Sequence, residues 1–349
     1  MRKPQPDFER FLKVVRREGE PDRVPFAELF HDHEIVVAIQ GPPPGDADGA
    51  AQWRIRFWQE MGYDYVTVST DISFPNPGLT TDDTAALSRG TRGWVDESKG
   101  AITDWEQFEK YPWPKVTPAG FRTLETYGKH LPDGMKIVPI LPGGPFENLS
   151  FLMGLETFSY ALVDQPDLVE AIAERVGETL VEVAEVTSGM PFVGAQWLND
   201  DMGFKGATMA SPEVMRRYVF PYQRRITEIA HRNGKPVLLH SCGKLDVIAD
   251  DLIDGVGIDA KHSFEHVIQP VWEAKRTWGK RIALLGGVDM DVLARGTEDE
   301  VRAYTRRCIE ECAPGGGWAL GSGNSVANYL PVANFLAMLD EGWKRGSYH

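Results

Sequence analysis

The chain has 349 residues, 42% of them hydrophobic, and a formal net charge of -14 from 37 basic and 51 acidic side chains. This charge argues against binding to nucleic acid or to an anionic membrane surface, because both are polyanions that repel an acidic protein. The N-terminus has no secretory pattern and no apolar run has membrane-spanning length, so we expect a soluble, cytoplasmic protein without membrane association. Three cysteines in such a chain predict no disulfide framework.

Short apolar runs alternate with longer amphipathic ones along the chain, and this alternation predicts repeated βα units. Eight apolar runs are candidate strands, which is the number that a closed (β/α) barrel requires. They are VPFAELF from Val24, YDYVTVST from Tyr63, KIVPILPG from Lys136, FVGAQWLND from Phe192, PVLLHSCG from Pro236, GIDAKHSFE from Gly257, RIALLGGVD from Arg281 and WALGSGNS from Trp318. We therefore predict an α/β fold, a single (β/α)8 TIM barrel over residues 1–349, with loops and insertions between Pro42 and Trp113.

Helical patterns lie between the candidate strands. The longest covers residues 155–189. Another begins at Ser211, which is followed by Pro212 and Glu213, the order expected for an N-cap and the first helical turn. A third begins at Thr297 with acidic residues in its first turn and ends on glycines.

Each candidate strand gives way at its C-terminal end to polar or ionisable residues. These residues are Glu28 and His31, Asp71, Glu147, Asp200 and Asp201, His240 and Cys242, His262 and Glu265, Asp289, and Asn324. In a (β/α) barrel the C-terminal rim carries the active site, so their convergence favours an enzyme. Strand ends in any protein turn polar as they leave the core, which is the structural alternative for each residue taken alone.

The stretch PVLLHSCGKL places His240 and Cys242 where the fifth candidate strand opens into a loop. Alternate side chains of a strand share a face, so both project to the same side. Imidazole nitrogen and thiolate are ligands that zinc prefers. A satisfied histidine beside a buried free cysteine is the alternative interpretation of the same spacing.

The runs LLHSCGKLDVIADDLIDGVGIDAKHSFE, RIALLGGVDMDVLARGTEDEVRAY, GGGWALGSGN and LPVANFLAML together resemble the C-terminal half of the uroporphyrinogen decarboxylase superfamily. The N-terminal half resembles it more loosely, through GYDYVTVSTDIS and PGGPFENLSFLMG. The resemblance implies a single (β/α) barrel. It also implies one of two activities, decarboxylation of uroporphyrinogen or zinc-dependent methyl transfer with a corrinoid protein.

The loop after the first candidate strand favours the methyltransferase branch. The resemblance implies an Arg-rich loop there for a decarboxylase, but the sequence AELFHDHEIVV contains no Arg or Lys. Asp71 in VSTDIS matches the substrate-facing aspartate of the decarboxylases in position and is the candidate catalytic residue of that branch, although it could equally cap a loop. Lys205, Lys244 and Lys261 are the bases available elsewhere.

The methyltransferase branch implies an H-x-C pair and a further cysteine near the last strand as zinc ligands. His240 and Cys242 match this pattern, whereas GSGNSVANYLP offers Ser322, Asn324 and Ser325 in place of the second cysteine. We therefore expect a carboxylate as third ligand of one zinc ion per chain. Glu147 is the first choice, Asp200 or Asp201 the second, and Asn324 the third because a neutral amide binds zinc weakly.

The remaining candidates surround this centre. Asp200 and Asp201 could orient a metal-bound group or act as acid or base, or they could be turn residues, and only one of the two should face the cavity because neighbours on an extended chain point apart. The candidate substrate contacts are His31, Phe146, Trp197, Met202 and Asn324. Their alternatives are solvated loop or plain core positions. Cys308 and Cys312 lie one helical turn apart at the opposite rim and should not bind the metal.

The prediction is a zinc-dependent methyltransferase that moves a methyl group between a corrinoid protein and a small methylated ether or amine, or a thiol acceptor. A uroporphyrinogen decarboxylase is the first alternative. A non-catalytic barrel that binds a corrinoid or porphyrin is the second. The sequence is compatible with a homodimer but does not identify the oligomeric state.

Overall fold

A computed structural model describes residues 5–96 and 100–348 of the chain. Its α-helices are α1 (Phe8–Val15), α2 (His33–Gln40), α3 (Ala47–Met61), α4 (Trp105–Lys110), α5 (Arg122–Gly128), α6 (Pro145–Met153), α7 (Leu155–Asp164), α8 (Pro166–Gly189), α9 (Pro212–Tyr218), α10 (Phe220–Arg232), α11 (Val271–Trp278), α12 (Met290–Arg295), α13 (Glu298–Cys312) and α14 (Val332–Arg345). Its strands are β1 (Tyr65–Ser69), β2 (Gly78–Asp82), β3 (Thr91–Val95), β4 (Lys136–Ile140), β5 (Gln196–Asn199), β6 (Val237–His240), β7 (Ala260–His262), β8 (Ala283–Leu285) and β9 (Trp318–Ala319). Short 3-10 segments cover Pro118–Phe121 and Asp246–Ile248, and a π-helical segment covers Asp251–Val256.

Seven of these strands form one curled parallel sheet in the order β1-β4-β5-β6-β7-β8-β9. Every neighbouring pair is parallel, and most are joined by a crossover that contains a helix, as in a (β/α) barrel. The strands are almost wholly buried, which explains why they read in the sequence as continuous apolar runs. The predicted α/β barrel fold is confirmed.

The prediction of eight strands is wrong at the first one, Val24–Phe30. This segment lies beside β9 but makes only isolated bridges, Phe26 with Leu320 and then His31 with Val326. Pro25 has no N–H to donate, and on the other side the segment reaches β1 through a side chain instead of the backbone. The Tyr65 hydroxyl accepts a hydrogen bond from Glu28 N at 2.9 Å and donates one to Glu28 O at 2.9 Å. The eighth position of the barrel is therefore filled by extended chain without a ladder to β1.

The N-terminal half carries the predicted insertions. An antiparallel hairpin of β2 and β3 follows β1, and every residue of β2 is exposed. The hairpin is attached to the rim by Arg89, which donates to Asp32 Oδ2 at 2.6 Å and to Glu34 Oε2 at 3.2 Å. The positive charge of Arg89 is therefore neutralised by its ion pairs with Asp32 and Glu34.

The helix boundaries follow the predicted capping residues. The long pattern over residues 155–189 divides into α7 and α8 at Gln165, because Pro166 starts a new helix. Ser211 caps α9 by accepting from Val214 N, and Thr297 forms a capping box with Glu300 at the start of α13. No helix in the described part of the chain is both long and apolar enough to cross a membrane.

We predict that Tyr65→Phe lowers the free energy of unfolding by about 1–3 kcal/mol, because it leaves the buried N–H and C=O of Glu28 without the hydroxyl that pairs with both. Chemical denaturation measures the loss. The control is Tyr160→Phe, whose ring is 65% exposed and which should change stability by less than about 0.5 kcal/mol. Equal stability of Tyr65→Phe and the wild type would show that the hydroxyl does not close the barrel.

Candidate metal centre

Three ligand-type side chains meet at the C-terminal ends of β5 and β6. Asp201, His240 and Cys242 each offer one ligand atom, and the three atoms lie within 4.8 Å of one another. His240 Nε2 is 3.6 Å from Asp201 Oδ1 and 3.6 Å from Cys242 Sγ. His240 is the last residue of β6 and Asp201 follows the end of β5 by two residues, so neighbouring parallel strands deliver the group to one edge.

The loops that carry these side chains are held by local hydrogen bonds. Cys242 N donates to Asp201 Oδ1 at 2.6 Å, which joins the loop after β6 to the loop after β5. The two loops cross so closely at Gly243 that a Cβ there would lie 2.2 Å from Gly203 C, and the φ of Gly243 is +81°. Glycine is therefore required at position 243 for the approach that brings Cys242 to Asp201.

The sulfur of Cys242 has two further polar neighbours. Asn324 Nδ2 donates to Sγ at 3.3 Å, and Ser263 Oγ is 3.5 Å from it. Asn324 was predicted as a substrate contact and third-choice ligand, and the structure places its amide against the sulfur. These contacts fix the direction of the thiol toward the rim.

Burial sets the protonation of the ligands in the metal-free protein. Burial, and then the charge of Asp201, raise the pKa of the Cys242 thiol to about 12. Burial lowers the pKa of His240, against the opposing effect of Asp201. At neutral pH the site therefore holds a neutral thiol and a neutral imidazole, and a bound dication would reverse this for the thiol by favouring the thiolate.

The donor set fits a zinc ion. One nitrogen, one oxygen and one sulfur are all accepted zinc ligands, and three protein ligands leave the fourth position of a tetrahedron open. Bond lengths of about 2.0–2.1 Å to nitrogen and 2.3 Å to sulfur put these two atoms about 3.6 Å apart in a tetrahedron. The observed separation of His240 Nε2 and Cys242 Sγ is 3.6 Å.

Glu147, the first-choice third ligand of the sequence analysis, is not a member of this group. It lies in the first turn of α6, partly buried, and burial together with the nearby Asp201 and Asp200 raises its pKa well above the ordinary value. This shift disfavours the ionised form of the carboxyl group, which is the form that binds a metal ion. Asp201, the second choice, stands in the position predicted for Glu147.

Asp200 faces away from this group and caps a helix. Its carboxylate accepts from Phe146 N at 3.2 Å, Glu147 N at 2.8 Å and Gln223 Nε2 at 2.7 Å, and it is fully buried. Burial raises its pKa to about 7 although all three donors oppose the shift. Two of these donors are the free N–H groups at the start of α6, so Asp200 orients the helix that carries Glu147.

Asp71, the candidate catalytic residue of the decarboxylase alternative, is exposed and holds the start of α5. It accepts from Thr123 N at 3.0 Å and from Thr123 Oγ1 at 2.6 Å. This is the loop-capping role that the sequence left open as the alternative.

His31 lies in the core instead of facing substrate. Its ring is 1% exposed and makes edge-to-face contacts with Phe57, Trp58, Tyr63 and Phe335. The expectation of a substrate contact does not fit this position. The backbone of His31 pairs with Val326, and its ring packs among aromatic side chains from α3, α14 and the chain before β1.

The predicted apolar wall is also buried. Phe146 packs on Phe158, and Met202 Sδ accepts a weak hydrogen bond from Gln223 at 3.6 Å. Trp197 lies inside the barrel with its ring edge-to-face on His262 at 5.6 Å. All three candidates are 0% exposed, so they are core residues and do not form an open apolar surface.

Lys261 is a site residue that the sequence marked only as an available base. It is 6% exposed, donates to Ser263 O at 2.6 Å and to Ser241 O at 3.4 Å, and its ammonium lies 4.5 Å from the Phe264 ring centroid. Burial lowers its pKa to about 8. The cation thus joins the ends of β6 and β7 on either side of Cys242. A lysine between two buried strand residues was the signal that could have identified it.

An open cavity of about 700 Å³ lies farther along the same rim, after β7 and β8. Its lining includes Glu265, His266, Asp289, Tyr304 and Tyr329, and none of the three ligand-type residues. His266 Nδ1 is 2.8 Å from the Tyr304 hydroxyl within it. The cavity and the group of Asp201, His240 and Cys242 are therefore separate features of the rim.

The fold and this group define a parallel α/β barrel with a histidine, cysteine and carboxylate cluster at the C-terminal rim. Residues 8–342 match the model of the family described as uroporphyrinogen decarboxylase (URO-D). The chain belongs to that family, as the sequence motifs predicted.

Relatives within the family carry both activities. The methylcobamide:CoM methyltransferase MtaA of Methanosarcina barkeri is 26% identical over 205 residues, 58% of this chain and 57% of that protein. The uroporphyrinogen decarboxylase of Thioalkalivibrio sulfidiphilus is 30% identical over 143 residues, 39% of this chain and 38% of that protein. The chain thus spans little more than half the length of the first of these curated relatives and less of the second.

Two further likenesses extend over most of the chain. The uroporphyrinogen decarboxylase of Anaeromyxobacter dehalogenans is 22% identical over 345 residues, 92% of this chain and 89% of that protein. A solved structure described as a methyltransferase from Methanosarcina mazei superposes with a TM-score of 0.68 at 17% identity, over 96% of this chain and 97% of that one. The structural likeness confirms the barrel fold.

We predict that Asp200→Ala destabilises the protein by about 3 kcal/mol, because three buried donors lose their acceptor. Chemical denaturation measures this loss. The control is Asp246→Ala, because the Asp246 carboxylate is half exposed and its ion pair with Lys244 is long, at 3.8 Å, and therefore weak. A variant that loses activity at wild-type stability would return Asp200 to a catalytic role.

Proposed function

We propose that the protein is a zinc-dependent methyltransferase that moves a methyl group between a corrinoid protein and a small methylated ether or amine, or a thiol acceptor. The observation that carries the proposal is the meeting of Asp201, His240 and Cys242, a zinc-type donor set, at the catalytic rim of the barrel. The likeness to a protein named as a methylcobamide:CoM methyltransferase supports the branch. The corrinoid would be carried by a partner protein.

Asp201, His240 and Cys242 would hold the zinc ion. Zinc bound there would supply a Lewis acid for a thiolate acceptor or for the heteroatom that carries the methyl group. Asn324 and Ser263 direct the sulfur, and Lys261 holds the two backbone segments that flank it. Burial, Asp201 and Asp200 raise the pKa of Glu147, and we propose this carboxyl group as a general acid beside the centre.

The decarboxylase alternative keeps the support of its relatives but finds few cations in this site. A porphyrinogen with many carboxylates needs positive charge, and the first loop contributes no Arg or Lys, while its Glu28 is buried. Arg89 is paired with Asp32 and Glu34, while Lys261 is buried on backbone carbonyls. The electrostatics of the described rim therefore favour methyl transfer over binding of a polyanion.

We predict that the protein purified with zinc binds about one ion per chain and that His240→Ala, Cys242→Ser and Asp201→Asn each lower zinc affinity by at least about tenfold. Each variant removes one of the three donors. Competition with a chromophoric chelator measures the affinity, with circular dichroism as the check on folding.

Two control variants sharpen the test of the ligand set. Glu147→Gln should keep most of the affinity if Asp201 is the carboxylate ligand, and a larger loss than in Asp201→Asn would assign the ligand to Glu147 instead. Cys308→Ser should change nothing, because Cys308 is buried in α13 with its sulfur on Gly287 O at 3.8 Å. Wild-type protein that binds no zinc at any supply would remove the main support for the methyltransferase.

The activity itself is tested with free methylcobalamin and a small thiol, which replace the corrinoid protein and the acceptor. We expect zinc-dependent loss of the methylcobalamin absorption spectrum, slowed at least about tenfold in Asp201→Asn. In a parallel assay with uroporphyrinogen we expect no decarboxylation. Formation of coproporphyrinogen at about 1 per second or faster would instead identify a decarboxylase.

A further inference from the structure

His240 has a second ring nitrogen, and it faces another histidine. His240 Nδ1 is 2.8 Å from His262 Nδ1, and both rings are buried, at 6% and 0% exposure. The register of β6 and β7 pairs these two residues directly, so their side chains stand side by side on one face of the sheet. Two neutral imidazoles in this contact share one proton, which lies on one Nδ1 and is accepted by the other.

The position of that proton decides whether His240 can be a ligand. If it lies on His240 Nδ1, then His240 Nε2 has a free lone pair directed at Asp201 and Cys242. If it lies on His262 Nδ1, then His240 must carry a proton on Nε2 and cannot bind a metal there. Cys242 Sγ, 3.6 Å from Nε2, forms a weak hydrogen bond with it in either case, as donor to the lone pair or as acceptor of the proton, whereas Asp201 Oδ1 at 3.6 Å is too far for a hydrogen bond.

The surroundings of His262 favour the first arrangement. Its Nε2 is buried and has no hydrogen-bond partner, and the carbonyl of Ser322 lies near this nitrogen, across the space beside Gly286. Gly286 leaves the space between them open, since a Cβ there would lie 2.2 Å from Ser322 O and 3.2 Å from His262 Nε2. A carbonyl can only accept, so it favours a proton on His262 Nε2 and hence a bare Nδ1.

Hydrogen bonds hold Ser322 and its carbonyl in place. Ser322 N donates to Glu28 Oε1 at 2.6 Å and Ser322 Oγ donates to Glu28 Oε2 at 2.6 Å. Gly287 N donates to Ser322 O at 3.1 Å. Glu28 is completely buried, and the serine that it binds is thereby engaged in the core and not at the metal group.

We infer that His262 is a positioning residue for the metal centre, which accepts the Nδ1–H of His240 and so keeps His240 Nε2 free and aimed at Asp201 and Cys242. The inference rests on the proposed metal site but concerns a residue that binds no metal. A hydrogen bond from the remote nitrogen of a ligating histidine commonly changes metal affinity about 10–100-fold when it is lost. Here the acceptor is a second imidazole instead of the usual carboxylate or carbonyl.

The direct test is nitrogen-15 NMR of histidine-labelled, zinc-free protein, with the spectrum of His240→Ala to assign the signal among the eight histidines. We expect His240 as the tautomer protonated at Nδ1, and His262 as the tautomer protonated at Nε2. A His240 signal with the proton on Nε2 would overturn the inference. This measurement needs neither zinc nor turnover, so its result is independent of whether the proposed function is correct.

Two substitutions give the second test, with zinc affinity as the readout. His262→Leu fills a similar volume without an acceptor and should lose about 10–100-fold in affinity. His262→Asn places an amide oxygen near the position of Nδ1 and should stay within about threefold of the wild type, because it still accepts from His240. Wild-type affinity in His262→Leu, or an equal loss in both variants, would overturn the inference, and if His262→Leu does not fold, the wild-type tautomer and His262→Asn still decide it.

Discussion

The parallel register of β5, β6 and β7 is the constraint on which the rest of the site depends. It pairs Asn199 with His240 and His240 with His262, so the last residues of three strands stand in one row on one face. A shift of one residue in either pair would turn His240 to the opposite face relative to the neighbouring strand and separate it from Asp201 or from His262. The buried apolar residues before the row, such as Leu238 and Leu239, fix that register because any slip would expose them or bury polar neighbours. The chemistry at the rim is therefore determined by packing below it.

Closure of the barrel also buries polar groups beside this row of residues, and buried polar groups need hydrogen-bond partners. The Asp200 carboxylate accepts hydrogen bonds from backbone N–H groups at the start of α6. The Lys261 ammonium donates to the backbone carbonyls of Ser241 and Ser263. Buried charges are tolerated when hydrogen bonds replace the lost water, and here the same bonds also fix the loops. These residues thus support the candidate centre without belonging to it.

The sequence was sufficient for the features that depend on periodicity and spacing. The strand that ends in His240 is a continuous apolar run, and the H-x-C spacing alone places His240 and Cys242 on one face. It was insufficient where a tertiary contact decides. The first segment pairs through the Tyr65 hydroxyl instead of a ladder, and His31 enters an aromatic cluster whose members come from distant parts of the chain. No local pattern encodes either contact.

Asp200 and Asp201 show the same limit of prediction from sequence. Alternation on an extended chain indicated that only one of them faces the cavity, and the two side chains do have different partners, Asp200 at the start of α6 and Asp201 at Cys242 N. Asp200 is the one that reaches the start of α6, and Gly144 leaves room for it there, since a Cβ would lie 2.1 Å from Asp200 Cγ. The sequence could predict the alternation but not its phase.

Charge explains why a carboxylate is the appropriate partner for the H-x-C pair in the proposed centre. A dication with one thiolate, one carboxylate and a neutral imidazole has no net charge, the same total that two thiolates would give. Replacing the carboxylate with the neutral amide of Asn324 would leave an uncompensated positive charge in a partly buried site, at a large cost in desolvation. Adding a second ionised carboxylate, Glu147, would make the site negative, and burial together with Asp201 and Asp200 already raises the pKa of Glu147. The hydrogen bond from Asn324 to the Cys242 sulfur gives the amide a role in which its neutrality is an advantage, because it stabilises the thiolate without changing the charge of the centre.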